Sequence, residues 1–207
     1  MKNRRIVLEA ISFGILMMLL TLSFTGVISD IKEIVIKNGV EKSIENLPHN
    51  LIGKKVEYNA SLITFENYTQ FDEFYSKKFL EVAEEVYNLH EDFNMSYNYD
   101  FDEIYNQFIN IFDESYTSEK NEYIQTIQEL KNRGYRGDCD CYAMFFYVIA
   151  KKQGLEVRYV IGINADSGHA WIQIKKDGKW IEYNSTSKII CDDYCISNRF
   201  GYVTYME

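Results

Sequence analysis

The amino-acid sequence predicts one folded domain of the α+β class behind an apolar N-terminal segment. Three observations lead to this prediction. Apolar residues at helical spacing occupy much of residues 70–133, a further helix is predicted after Gly134, and three runs with strand character follow it. The length of 207 residues allows one domain with a full hydrophobic core and an extra segment, but hardly two domains.

The composition limits the classes of partner. A hydrophobic content of 46% with 15% aromatic residues is typical of a globular protein. The net charge of -9 opposes binding to a negatively charged polymer, so we expect no nucleic-acid partner. All four cysteines lie in the C-terminal third, and they are too few and too local to frame a disulfide-rich miniprotein.

The N-terminal segment has the composition of a membrane-spanning helix. Residues 10–28 carry no charge, and this run is close to the ~20 residues that cross a bilayer core. The basic tip MKNRR precedes it, and the positive-inside bias then puts the N-terminus in the cytoplasm. We therefore expect residues 1–29 to form a cytoplasmic tip and signal anchor of a single-pass membrane protein. The C-terminal domain would lie outside; the alternative is secretion after signal cleavage.

The segment that follows has no clear periodicity. Residues 30–69 contain short apolar runs interrupted by Gly39, Gly53 and the only proline, Pro48. We expect this segment to be a stalk or lead-in to a domain over residues 70–207.

Three helices are predicted in the first half of that domain. Residues 70–90 place aromatic and aliphatic side chains at spacings of three and four. Asp100 can cap a second helix, and Thr117 or Ser118 can cap a third helix that Gly134 ends. The apolar face of this third helix would consist of Tyr123, Ile124, Ile127 and Leu130.

The second half of the domain changes from helix to strands. The helix CYAMFFYVIAKKQG precedes the strand-like runs VRYVIGI, HAWIQIK and WIEYN. The last two runs are joined through Asp177-Gly178, a strong signal for a two-residue hairpin turn. This order predicts a helix packed on an antiparallel sheet.

Three side chains of this unit have the chemistry of a thiol nucleophile. Cys139 lies at the start of the predicted helix, where unpaired N–H groups and a partial positive charge stabilise a thiolate. His169 opens a predicted strand and can take the thiol proton, whereas the other histidines lie in the earlier segments. Asn184, at the end of the partner strand, can fix the ring tautomer through its side-chain carbonyl. Each residue alone is more often structural, but together they form a candidate catalytic trio.

Neighbouring residues are candidates for supporting roles. The backbone N–H of Cys139 can contribute to an oxyanion hole, and Tyr135 or Arg136 can supply a second donor. Trp171 lies two residues after His169, where it either shields the site from water or packs in the core.

The four cysteines also admit a metal site or a disulfide. Four thiolates suffice for structural zinc, but the Cys139-x-Cys141 spacing is tighter than is usual in such sites. Export favours oxidation, so we expect a Cys191–Cys195 disulfide, or one of these residues paired with Cys141, and no metal.

The segments GDCDCYA, HAWIQI and KWIEYNSTS resemble the three signature segments of the transglutaminase-like superfamily over about residues 134–187. Two positions depart from the family pattern. Asn184 stands where that pattern usually has aspartate, although papain-like relatives use asparagine there. Cys141 stands where relatives often carry an acidic residue. The residues that fit one by one are Gly137, Cys139, Tyr142, Ala143, His169, Ala170, Trp171 and Trp180.

This resemblance implies a papain-like fold and amide chemistry through a Cys-His-Asn triad. We therefore expect a cysteine peptidase or amidase that acts on amide or isopeptide bonds of a peptide, protein or cell-wall substrate, without a cofactor. The alternatives are a transglutaminase-type acyl transferase and a non-catalytic transglutaminase-like binding or scaffold domain.

Overall fold

The structure is a computed structural model, and a large part of the predicted anchor lies outside the region it describes. Of residues 10–28, only 25, 26 and 28 belong to the described part of the chain. Within that part, no helix is both long and apolar enough to cross a membrane. The described residues are 25–26, 28–57, 68–95, 98–113, 123–164 and 167–207.

Helices precede an antiparallel sheet, and the predicted α+β class is confirmed. The helices are α1 (28–45), α2 (Tyr68–Asn88), α3 (Phe101–Phe108), α4 (Ile127–Asn132) and α5 (Cys139–Lys152). The strands are β1 (Lys54–Lys55), β2 (Tyr123–Ile124), β3 (Val157–Ile163), β4 (Gly168–Lys176), β5 (Lys179–Asn184), β6 (Ile190–Cys191) and β7 (Tyr202–Met206).

Five strands form one antiparallel sheet in the order β6-β5-β4-β3-β7. The predicted hairpin joins β4 to β5, and both of its turn residues have positive φ, 51° at Asp177 and 80° at Gly178. Side chains alternate between the two faces along β4. Ala170 and Ile172 belong to the main core that α5 enters, whereas Trp171 lies in a smaller cluster on the opposite face.

Helix α5 is the centre of the main core. Its residues 140–150 are all buried, because β3 and β4 cover one side and α2, α3 and α4 cover others. The nearly continuous apolar sequence of this helix requires such surroundings. Lys151 and Lys152 in the last turn complement the negative end of the helix dipole, and Gly154 follows with a φ of 74°.

The described part of residues 30–69 differs from the expected stalk. In helix α1, Val40 and Ile44 are fully buried in the main core, because their spacing of four puts them on one face. Tyr135 also donates its hydroxyl to Glu41 at 3.0 Å. At least this part of the lead-in is therefore packed on the domain.

The prediction for the third helix is wrong at its start. Tyr123 and Ile124 form strand β2, which pairs antiparallel with β1. Helix α4 starts only after Thr126, whose hydroxyl accepts from the N–H of Glu129 in a capping box. The expected caps, Thr117 and Ser118, lie outside the described residues.

The end of α4 and the other two helices agree with the predictions. Gly134 follows α4 with a φ of 68°, as expected for a helix C-terminus. Helix α2 covers most of residues 70–90. Asp100 caps α3, since its side chain accepts from the N–H of Asp102 at 2.8 Å.

Candidate active site

The start of α5, the start of β4 and the end of β5 lie at the same end of the domain. Only residues 153–156 connect α5 to β3, so β3 runs back along α5 towards its start. Strand β4 is antiparallel to β3, and β5 is antiparallel to β4. Cys139 opens α5, His169 is the second residue of β4, and Asn184 ends β5. The topology therefore brings the three segments that carry the predicted trio to one end of the sheet.

His169 and Asn184 are in hydrogen-bond contact, with 3.0 Å between His169 Nε2 and Asn184 Oδ1. Two other partners fix the orientation of the amide. The N–H of Thr186 donates to Oδ1 at 3.1 Å, and Nδ2 donates to Ser187 Oγ at 2.8 Å. Because Oδ1 only accepts, Nε2 carries the ring proton in this contact. The remaining nitrogen, Nδ1, is then the one that can take a proton from another group.

Two aromatic rings lie nearly parallel to the imidazole of His169. The ring centre of Trp171 is 5.9 Å away at 17°, and that of Phe200 is 6.2 Å away at 16°. Burial lowers the pKa of His169, the hydrogen bond to Asn184 opposes this, and the charge of Arg199 adds to the lowering. The surroundings therefore favour a neutral imidazole, the form that acts as a base.

Tyr105 of α3 holds the backbone around Asn184. This tyrosine is fully buried, and its hydroxyl lies 2.8 Å from the carbonyl oxygen of Asn184, 3.0 Å from that of Ser187 and 3.2 Å from that of Ile189. The N–H of Asn184 also donates to the carbonyl of Ile189 at 3.0 Å. Sequence reasoning missed Tyr105, because its partners are 79 or more positions away.

Cys139 is the first residue of α5 and is half-buried. Asp138 precedes it in an extended conformation and makes no side-chain capping bond. The carboxylate of Asp140 accepts from the N–H of Cys141 at 2.6 Å. The start of the helix favours a thiolate at Cys139, while the two neighbouring carboxylates oppose it.

The comparison with family models decides the family. The model described as "Transglutaminase-like superfamily" matches residues 81–185, which is about half of the chain. The chain belongs to the transglutaminase-like superfamily. The match includes all three segments of the candidate site.

The other comparisons add less. No curated protein matches the chain. One solved structure, named "Putative Cysteine Protease" and from Cytophaga hutchinsonii, is similar with 15% identity and a TM-score of 0.34. The alignment covers 60% of this chain and 49% of that one, so it spans about half of that structure.

The upstream residues that we predicted as second oxyanion donors are already engaged in this transglutaminase-like domain. The N–H of Tyr135 donates to the carbonyl of Leu130 at 2.8 Å, and its hydroxyl donates to Glu41. Tyr135 is therefore not an available donor, which corrects that prediction. Arg136 is exposed, and its guanidinium lies 3.4 Å from the carboxylate of Asp113. Within the described residues, no contact of Tyr135 or Arg136 directs its side chain towards Cys139.

The four cysteines divide into one disulfide and two thiols. Cys191 and Cys195 are joined in a disulfide, whereas Cys139 and Cys141 are not. Because two of the four sulfurs are oxidised, a four-thiolate zinc site does not fit this arrangement. Burial and the carboxylate of Asp140 raise the pKa of Cys141 well above its ordinary value. Cys141 is thus a structural thiol, and its sulfur accepts from the N–H of Gln125 at 3.4 Å.

Proposed function

We propose that this protein is a thiol hydrolase, a cysteine peptidase or amidase, in which Cys139, His169 and Asn184 act as nucleophile, base and orienting group. The observation that carries the proposal is the hydrogen bond between His169 and Asn184 at the end of the domain where Cys139 begins α5. That bond leaves Nδ1 of the imidazole for the thiol. Membership of the transglutaminase-like superfamily supports acyl chemistry on amide bonds.

The reaction proceeds in two halves. The Cys139 thiol gives its proton to Nδ1 of His169, and the thiolate attacks the substrate carbonyl. Collapse of the tetrahedral intermediate breaks the C–N bond, and the imidazolium protonates the leaving amine. Water, deprotonated by His169, then attacks the thioester, which releases the carboxylic acid and restores the thiol. Asn184 holds the imidazole in one orientation throughout.

The aromatic rings beside His169 support the role of a base. Trp171 is fully buried, and Phe200 lies on the same side of the ring as part of one stack. This stack keeps water away from the imidazole and limits its rotation. His169 and Trp171 are two residues apart in β4 and therefore share one face of the sheet.

We also propose that the domain is held outside the cell by an N-terminal membrane anchor. The uncharged run over residues 10–28 and the basic tip are the basis in the sequence. Two features of the described residues support it. Ile28, the last residue of that run, and Ile31 and Ile34 after it expose more than half of their surface, and the disulfide fits an oxidising compartment. Protease added to intact cells would digest the domain if this topology is right, and would leave it intact if the domain is cytoplasmic.

An activated ester tests the chemistry without knowledge of the substrate. Attack by Cys139 on p-nitrophenyl acetate would release p-nitrophenolate and leave an acetyl thioester. We expect turnover in the wild type and none above background in Cys139→Ser, with Cys141→Ala as the matched control that retains it. Addition of a primary amine separates the functions, because acyl transfer would give the acetylated amine and hydrolysis would give acetate. No Cys139-dependent release would favour the non-catalytic binding domain and end the enzyme proposal.

A further inference from the structure

Glu182 is a buried carboxylate that the chemistry above does not use. It lies in β5 and is fully buried. A buried carboxylate is costly unless donors surround it. Two donors come from the adjacent strand β4, where Trp171 Nε1 lies 3.1 Å and Gln173 Nε2 lies 3.0 Å from Oε1. Glu182 therefore links β5 to two side chains on the face of β4 that lies opposite the main core.

The other donors to Glu182 come from a turn that we call the disulfide turn, residues 191–200. The N–H of Ile196 donates to Oε2 at 2.6 Å, and the N–H of Ser197 donates to it at 3.2 Å. The hydroxyl of Ser197 also donates to Oε1. One carboxylate thus binds two successive amides and a hydroxyl of the same turn. These charge-assisted bonds hold the disulfide turn against the sheet.

Both sets of donors connect Glu182 to the aromatic rings that lie beside the imidazole of His169. On one side, the indole that donates to Glu182 is the ring of Trp171 that stacks beside His169. On the other side, the disulfide turn ends in Phe200, whose ring lies 6.2 Å from His169 and 5.5 Å from Trp171. Arg199, which helps to lower the pKa of His169, belongs to the same turn.

The sheet makes room for this stack at one glycine. Gly162 of β3 is paired with His169. A Cβ atom at Gly162 would lie 2.5 Å from the ring of Phe200 and 2.8 Å from that of Trp171. The absence of a side chain at this position therefore lets the two rings pack over the strand. Phe200, one of the two rings in this stack, belongs to the disulfide turn. The stack therefore depends on the position of that turn.

We propose that Glu182 is a positioning residue for His169. Its carboxylate holds Trp171 and the disulfide turn so that Trp171 and Phe200 keep the imidazole oriented and shielded from water. This inference rests on the proposed function, in which His169 is the base. Cys191, which pairs with Glu182 across β5 and β6, closes the turn from its other end through the disulfide to Cys195. Glu182 and the disulfide thus anchor one turn at two points.

The test is the titration of the His169 ring in the full-length protein, followed by NMR. The chain has three histidines, so His169→Gln identifies the signal. In the wild type, burial of the ring lowers the pKa of His169 from its ordinary value. In Glu182→Gln, the side-chain NH₂ group faces N–H donors of the disulfide turn and cannot accept from them. The turn then loosens, and water reaches the ring of His169. The pKa of His169 should then rise towards about 6.5, and alkylation of Cys139 at neutral pH should slow by about tenfold or more.

Two further variants keep the outcome decisive. Glu156→Gln removes an exposed carboxylate that contacts Lys175 at 2.8 Å, and it should change neither quantity. Ser197→Ala removes one donor and keeps the carboxylate. It should raise the pKa of His169 and slow the alkylation of Cys139, each by less than Glu182→Gln does. If Glu182→Gln does not fold, these two measurements on Ser197→Ala test the inference in its place. A folded Glu182→Gln protein with the wild-type titration of His169 would overturn the inference. A shifted titration in a protein whose Cys139 is unreactive from the start would refute the proposed function while the positioning of the ring stands.

Discussion

Acid should destabilise the fold through His90, a buried histidine far from the candidate site in sequence. Its side chain is fully buried, in the turn that follows α2. The distance from Nδ1 to the carbonyl of Val86 is 2.9 Å, and Nε2 lies 3.1 Å from the N–H of Ile127 in the first turn of α4. A carbonyl accepts and an N–H donates, so Nδ1 carries the proton and Nε2 has none. Protonation of Nε2 would break the bond that joins α2 to α4.

The magnitude follows from the pKa of His90. Burial lowers it from 6.5 to about 4, which corresponds to about 3 kcal/mol of folding free energy. Between these two pH values the unfolded chain binds more protons at this position than the folded chain. Stability therefore falls as the pH decreases through 6.5, and the loss is complete below about 4. Between pH 7.5 and pH 5 the contribution of His90 to the loss is about 2 kcal/mol.

Urea unfolding at pH 7.5 and pH 5 measures this contribution. The full-length protein is kept in a non-ionic detergent, and the free energy of unfolding is compared for the wild type, His90→Gln and His49→Gln. His90→Gln should be less stable at pH 7.5 but should lose about 2 kcal/mol less than the wild type on acidification. The exposed His49 is the matched control, and its variant should keep the wild-type loss. Equal losses in all three proteins would refute the argument.

Two further predictions concern the surroundings of the candidate site. Tyr105→Phe removes the hydroxyl that holds the turn after Asn184, and should cost about 1–3 kcal/mol of stability and slow ester turnover. Tyr183→Phe removes a hydroxyl bonded to Asp102 and should cost similar stability without slowing turnover; equal turnover in both variants would contradict the role of Tyr105. Gly162→Ala should cost about 1–3 kcal/mol by crowding the aromatic stack, whereas Gly168→Ala, with its nearest neighbour at 3.9 Å, should be tolerated in the same thermal unfolding measurement.

The elements that sequence predicted well are those set by local signals. The Asp177-Gly178 pair adopts the positive φ values that a two-residue hairpin needs, and such values depend on these two residues alone. Asp100 caps α3 through a bond two residues along the chain. The burial of α5 follows from its own apolar sequence. In each case the decisive interaction lies within a few residues.

The elements that sequence did not predict depend on distant partners. Tyr123 and Ile124 lie in a strand rather than a helix because β1, nearly 70 residues earlier, offers its backbone to them. The packing of α1 is similar, since Val40 and Ile44 are buried only in the presence of the later core. No local pattern reports such pairings.

The candidate site shows the same division. The sequence order of Cys139, His169 and Asn184 was sufficient to predict that their segments converge, because helix, strand and hairpin are joined by short connections. The roles of Tyr105 and Glu182 were not visible. Tyr105 acts on backbone carbonyls, and Glu182 binds two backbone amides 14 and 15 residues away. Nearly every residue carries the same backbone N–H and C=O groups, so the sequence does not show which of them a side chain will contact.

The central claim is that Cys139 is activated by His169. The most direct measurement is the rate at which iodoacetamide alkylates Cys139 at neutral pH, followed by mass spectrometry of the peptide that contains both Cys139 and Cys141. We expect Cys139 to react faster than a small-molecule thiol and the buried Cys141 to stay unmodified. We expect His169→Gln to slow the reaction of Cys139 by at least about tenfold. An unchanged rate in His169→Gln, or a wild-type Cys139 no faster than an ordinary thiol, would contradict the central claim.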